Sequence, residues 1–447
     1  MSYEDQLLLL SARLTFDPET EQRFKNALTS STSHELYHPK PKTKNPKLKT
    51  APRALDWQYI QKTAQHLGIS PLLHKHLSNP QCRDYVPTQV LESLQAAYKK
   101  QALRSLRIQA QIYQLLKKAN ELEIPIILLK GVCLAGLIYE DIALRPMSDI
   151  DILVRENDKK TAKDVLLALG YHQENIFNSS LHEEVLTAKS HMAPFLKKAA
   201  VPIEVHTHYL NHALGGSAEM RNAWENAVPI NLNGCSCYHL SNEDFLINLF
   251  EHLAEHLKSS GGPLYWFCDL HEMIQKHGTE IDWSRFHRKA EYLGLKPQIS
   301  AICRLMEKQL GISVPELKNY GVAENKATNQ LTAFENNVLL RNSKNKRQLS
   351  DYLNNLKTAR EIEGWGNRFY FLARYLVPSR ENLISRYHIA QSWISPFFYV
   401  IHPFFLLKRA FTSGAYYARM GSKSRIPVGI QKRLRRVDDH QESGGNC

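Results

Sequence analysis

Apolar and polar positions change rhythm along the chain. Residues 4–29 read as a helix, with Leu7, Leu8, Leu9, Leu10 and Leu14 gathered toward one side. Residues 30–54 then run through Ser, Thr, Pro and Lys with almost no apolar content, too little to offset chain entropy on folding. A helix starts at Asp56, which suits an N-cap, and ends at Gly68, which suits the position after the last turn. Another runs from about Pro87 to Lys118 on a loose 3.6-residue period. The pattern changes at IPIILL (124–129), a short continuous apolar run with β-branched content that reads as a buried strand. A short helix over 132–140, a strand over 150–154, a helix over 159–169 and a strand over 201–206 follow. From Ser241, three residues ahead of Asp244 as in a capping box, helical periodicity resumes. Gly261-Gly262-Pro263 interrupts it, 264–276 resumes it, and two or three more helices reach about residue 340. A polar linker near 342–349 precedes aromatic and then basic segments. The expected organisation is a helical region over 1–119 with a mobile basic loop at 30–54, an α/β domain over 120–235, a helical domain over 236–345 and an aromatic, basic region over 346–447.

Composition excludes several classes. With 43% apolar and 23% charged residues in 447, the chain is neither globally disordered nor fibrous. The net charge of +13 suggests an anionic partner, but its distribution matters more than its sum. Residues 36–55 hold six Lys or Arg and residues 382–437 hold ten, with no acid in either stretch. Those sixteen cations exceed the whole net charge, so the rest of the chain is slightly acidic. Seven cysteines, an odd number in a large chain, argue against a secreted disulfide scaffold. Cys235 and Cys237 form a CxC near His239, without the second ligand pair of a zinc site. The amino terminus is not that of a signal peptide, and the longest apolar run (394–407) is too short to span a bilayer. The expected compartment is the cytoplasm, with a peripheral place at the inner membrane surface left open.

The chemistry concentrates in Asp149-Ile150-Asp151-Ile152-Leu153-Val154. Side chains alternate faces along a strand, so Asp149 and Asp151 share one side and Ile150 and Ile152 the other. Two carboxylates about 7 Å apart repel each other unless a cation sits between them. Hard oxygen ligands of this kind suit Mg²⁺. The strand at 201–206 repeats the pattern, with Glu204 and His206 on its polar face. Asp149, Asp151 and Glu204 on neighbouring strands would form a platform for two divalent ions clamping a phosphoryl transfer. The alternative is a solvated edge strand with no chemistry. Lys130-Gly131, placed where a turn would approach phosphate, and Arg145, leading through Ser148 into Asp149, favour the platform.

The stretch ILLKGVCLAGLIYEDIALRPMSDIDILV (127–154) resembles the polymerase β-like nucleotidyltransferase superfamily. Within it, the closer similarity is to the large bacterial family of uncharacterised nucleotidyltransferases, whose pattern is LKG, Tyr, RPMSDIDILV and then a strand ending in an acid-x-His. LDWQYIQKTAQHLGISPLLHKHL (55–77) and the helical stretch over 246–273 resemble that family's flanking regions, so the likeness covers about residues 5–280. It implies an α+β fold: a small mixed-sheet nucleotidyltransferase palm flanked by N- and C-terminal helical regions. It implies Asp149 and Asp151 as the metal pair, and Glu204 as a third ligand that helps deprotonate the acceptor. The cofactor would be Mg²⁺, with Mn²⁺ as the alternative, and the substrate an NTP such as ATP. Lys130, Gly131, Arg145 and Ser148 would face the nucleotide. Two departures stand out: Lys-Gly is followed by Val132 rather than Ser, and Gly131 lies unusually far from Asp149. Arg145 has two readings, a phosphate contact or a brace for the turn before Asp149.

His252 and His256 share a helix face at i, i+4 without forming HExxH, and read as packing or substrate-facing groups. Asp269 and His271 are further candidates for the cleft, and His206 for support of Glu204 or the acceptor. The aromatic and cationic stretch over 394–436 suits a membrane surface or single-stranded nucleic acid, with a packed aromatic helix as the plain alternative. Two functional classes follow. One is an enzyme transferring NMP from NTP to an acceptor (protein, glycan or lipid intermediate, small molecule or RNA, the last as in RNA-modifying toxins). The other is a non-catalytic scaffold or membrane-surface interaction protein that kept the fold.

Overall fold

A computed structural model describes residues 2–29, 54–173, 192–210, 217–259, 263–317 and a few positions beyond (365–366, 380 and 396–401). The basic loop at 30–53 and nearly all of the basic tail lie outside the described residues. The chain divides into two units, residues 1–341 and 342–447.

The first unit opens with α1 (Tyr3–Leu10) and α2 (Pro18–Thr29), two helices where the leucine pattern predicts one. The break has a local cause. Pro18 is favoured at a helix start, and Asp17 Oδ1 accepts from Thr20 N at 2.7 Å, capping the second helix. α3 (Trp57–Leu67) is capped as expected: Asp56 Oδ1 accepts from Tyr59 N at 2.9 Å, and Gly68 closes the helix at φ 72°. α4 (Ser70–Leu77) follows at once, and α5 (Thr88–Glu121) runs for 34 residues.

Among the described residues seven strands form one sheet: β1 (Ile127–Leu128), β2 (Ile150–Leu153), β3 (His172–Gln173), β4 (Phe195–Leu196), β5 (Ile203–His206), β6 (Val228–Leu232) and β7 (Cys235–His239). Their order is β3-β4-β5-β2-β1-β7-β6, so β2 lies at the centre. β2 runs antiparallel to β1 and parallel to β5, making the sheet mixed. β1 is shorter than its apolar run because Pro125 has no N–H and Ile124 N is spent on Ala119 O at the end of α5. Between strands lie α6 (Lys130–Leu137), α7 (Lys159–Ala168) and α8 (Ser217–Glu225). The helices α9 (Asn242–Ser259), α10 (Tyr265–His277), α11 (Trp283–Tyr292) and α12 (Lys296–Leu305) complete the α+β fold. Ser241 Oγ accepts from Asp244 N at the start of α9, as the capping pattern anticipates. One buried apolar cluster extends from Leu7 to Leu317 and includes Ile150 and Ile152, both fully buried beneath β2.

Candidate active site

The central position of β2 excludes the edge-strand placement of its carboxylates. Asp151 is not on an exposed edge: it is 5% exposed, with neighbouring strands on both sides. Parallel pairing with β5 sets Asp151 against Glu204 and Leu153 against His206. Oxygens of Asp151 and Glu204 and a ring nitrogen of His206 all lie within 4.8 Å of one another, the one such group among the described residues. Asp149 flanks this trio, its carboxylate accepting from Ser148 Oγ at 3.0 Å.

Two groups converge on a single oxygen of Asp151. Lys130 Nζ donates to Oδ1 at 2.8 Å, and His206 Nε2 lies 2.8 Å from the same atom. Glu204 is farther from the imidazole, at 3.8 Å, so His206 serves Asp151 first rather than Glu204. Lys130 reaches the cluster because Leu129 N bonds to Asp151 O, after which the chain turns abruptly into α6 with Lys130 at φ 44°. Burial alone would raise the Asp151 carboxyl, but the Lys130 charge and the His206 bond outweigh it and hold the group well below the usual carboxylate range. Asp149 moves the other way, pushed up by burial and then by the Asp151 charge. Burial opposes the Lys130 charge, yet Asp151, with Glu204 and Asp149 behind it, raises the ammonium above its ordinary value.

Arg145 is spent inside the protein. Its guanidinium forks onto Asp269, with Nη2 to Oδ2 at 2.8 Å, and Nη1 donates to Pro146 O at 3.1 Å. Tyr139 donates to Asp269 Oδ1 at 2.7 Å, and the Tyr265 ring covers Arg145 with its centroid at 5.0 Å. Of the two readings of Arg145, the geometry matches the brace. Asp269 is a buried partner of the arginine. Gly131 has a matching reason: a Cβ there would lie 2.0 Å from Arg145 Nη1, so the glycine makes room for the guanidinium. His252 and His256 do share a face, with ring centroids 4.5 Å apart, and Trp266 stands 4.6 and 4.7 Å from them. Burial, then the Lys130 charge and His256, push the His252 imidazole well below its ordinary value while Asp151 pulls the opposite way, so this ring lies within the field of the acidic cluster. His271, on the same helix as Asp269, is half-buried beside Arg13 and Asp17, and burial pushes its imidazole down to about 4.

Sequence reasoning missed Tyr139, Tyr265 and Trp266. Tyr139 stands in the 127–154 stretch, but nothing in local spacing ties it to a partner 130 positions away. The six described cysteines are free thiols, and Cys235 and Cys237 are buried on β7.

A family model described as Uncharacterised nucleotidyltransferase matches residues 53–311, more than half of the chain. The chain belongs to that family. No curated protein and no solved structure matches it. The match spans α3 to the end of the helices after the sheet, and thus every group of the acidic cluster. Family membership assigns the protein a general role in nucleotidyl transfer, with an NTP as the substrate class.

Proposed function

We propose that this nucleotidyltransferase transfers an NMP group from an NTP to an acceptor hydroxyl, with Mg²⁺ or Mn²⁺ as cofactor. The observation that carries this reading is the register of β2 against β5, which sets Asp151 beside Glu204 and His206 at the centre of a nucleotidyltransferase-family sheet. The donor set fits a hard divalent ion: carboxylates of Asp151 and Glu204 beside the His206 imidazole, which tolerates Mn²⁺ as well as Mg²⁺, with the Asp149 carboxylate flanking them. When bound, the metal would neutralise charge developing on the phosphoryl oxygens. The acceptor oxygen bonds to the α-phosphorus, the bond to the bridging oxygen of the β-phosphate breaks, and its electron pair leaves with pyrophosphate. Glu204, the least buried of the trio, receives the acceptor proton. Ser148, exposed beside Asp149, faces the incoming triphosphate. Arg145 acts at one remove, holding the turn that delivers Asp149.

The test is to incubate the full chain with each labelled NTP and a cell lysate, then ask which fraction (protein, RNA, lipid, glycan or small molecule) acquires label. The expected result is metal-dependent labelling of one fraction with pyrophosphate release, abolished by Asp149→Ala with Asp151→Ala. Labelling that survives the double substitution would remove these carboxylates from the chemistry.

A further inference from the structure

We infer that Lys130 supplies a resident cation to the acidic cluster, standing in for one of two divalent ions, so that the site takes a single metal. The inference rests on the metal-dependent transfer proposed above and deepens it. Three observations carry it. First, Lys130 Nζ contacts Asp151 Oδ1 at 2.8 Å, on the same oxygen that His206 Nε2 approaches. A divalent ion bridging Asp151 and His206 would have to share that oxygen with an ammonium, and two cations that close repel strongly. Second, the position is built into the backbone. Lys130 holds φ 44°, a left-handed conformation that is unfavourable for a residue other than glycine. Leu129 N to Asp151 O anchors the residue just before it, so the lysine is aimed at Asp151 from a fixed point. Its side chain is largely enclosed, at 15% exposure, and is not a surface lysine that happens to fold inward. Third, the charges balance. Asp149, Asp151 and Glu204 carry three negative charges, which one ammonium and one divalent ion neutralise. A second divalent ion would leave the protein site cationic before substrate arrives.

The consequence concerns Asp151, which would be committed to Lys130 and His206 through Oδ1. Metal binding would then fall to its second oxygen together with Asp149 and Glu204. Mg²⁺ accepts such a site, since it uses one or two carboxylates and takes its other ligands from water and phosphate.

The experiment is electron paramagnetic resonance of the full chain with Mn²⁺ and inorganic triphosphate, alongside a Mn²⁺ titration without triphosphate. The wild-type protein is expected to show isolated Mn²⁺ with no exchange-coupled pair. Lys130→Met is expected to gain the coupled pair and to bind Mn²⁺ about tenfold tighter or more without triphosphate, because a competing cation is gone. Lys130→Arg, which keeps the charge, is expected to remain uncoupled. A coupled pair in the wild type overturns the inference and leaves the transfer reading standing. So does weaker Mn²⁺ binding by Lys130→Met. Absence of any bound Mn²⁺ in the wild type removes the metal-dependent reading itself, and this inference with it. The wild-type spectrum decides the matter even if Lys130→Met does not fold.

Discussion

His76 stacks on Phe16, with ring centroids 3.9 Å apart, and Nε2 hydrogen-bonds Arg13 O at 2.8 Å. Burial, reinforced by the charges of Lys75 and Arg13, pushes this imidazole down to about 4 against the partial help of the Arg13 carbonyl. The linkage has a definite sign. A base buried neutral contributes fully above its unfolded pKa of about 6.5, and that stability is lost as pH falls from there toward 4. The loss would approach about 3 kcal/mol at 1.36 kcal/mol per unit. Urea unfolding at pH 7 and pH 5 should show a fall in stability that His76→Gln reduces, since glutamine keeps a donor for Arg13 O without titrating. An unchanged pH slope in the variant would place the acid sensitivity elsewhere. Nothing along the sequence marks His76, because an imidazole in an amphipathic helix looks alike whether it faces water or a phenyl ring. The meeting of Asp151 and Glu204 was legible for the opposite reason: alternation on two strands puts these acids on one face whatever surrounds them.

The turn before β2 and the helix α10 are joined by the Arg145–Asp269 pair, both side chains nearly fully buried. Removing one partner of such a pair strands a charge, so Asp269→Ala should cost about 3–5 kcal/mol of stability. Gly131→Ala should cost about 1–3 kcal/mol, because the new methyl displaces the guanidinium from above α6. The two effects are coupled, and the cost of Gly131→Ala should drop by about 1 kcal/mol or more in an Arg145→Ala background. Denaturant unfolding of the four proteins in that cycle measures the coupling; strict additivity would mean that the glycine serves another need. Elements of this kind were only partly readable. The caps of α3 and α9 were visible because Asp56, Gly68 and Ser241 act within a few residues of themselves. The β6–β7 hairpin was overlooked although Asn233-Gly234, at φ 52° and 85°, carries the strongest short-range hairpin signal. β3 and β4 are two residues each, too short for any alternation to register. The Arg145 fork spans 124 positions, and no local pattern encodes it.

At the scale of the whole chain, the basic surplus is divided between two acid-free stretches. The six cations of residues 36–55 belong to the first unit, as the acidic cluster does, and the ten cations of residues 382–437 belong to the second. Among the described residues no helix is long and apolar enough to cross a membrane. The short helical stretch over 396–401 nevertheless exposes Phe397 and Val400, at 62% and 68%, just ahead of Lys408 and Arg409. Exposed aromatic and aliphatic side chains followed by cations are what an anionic lipid surface attracts, each cation near it contributing about 1 kcal/mol. The full chain should therefore sediment with vesicles containing phosphatidylserine and not with neutral phosphatidylcholine vesicles. Binding should weaken as salt rises from low to physiological strength, because the Debye length shrinks toward about 8 Å. Replacing Lys432, Arg433, Arg435 and Arg436 with glutamine should weaken vesicle binding at least tenfold, given that tenfold corresponds to about 1.4 kcal/mol. The same variant should bind Mn²⁺ as the wild type does, since Lys130, Asp149, Asp151 and Glu204 are untouched. Equal binding to neutral and anionic vesicles would assign the tail to apolar insertion alone. Failure to bind either, with retention of single-stranded RNA, would move the basic surplus from a lipid surface to a nucleic acid.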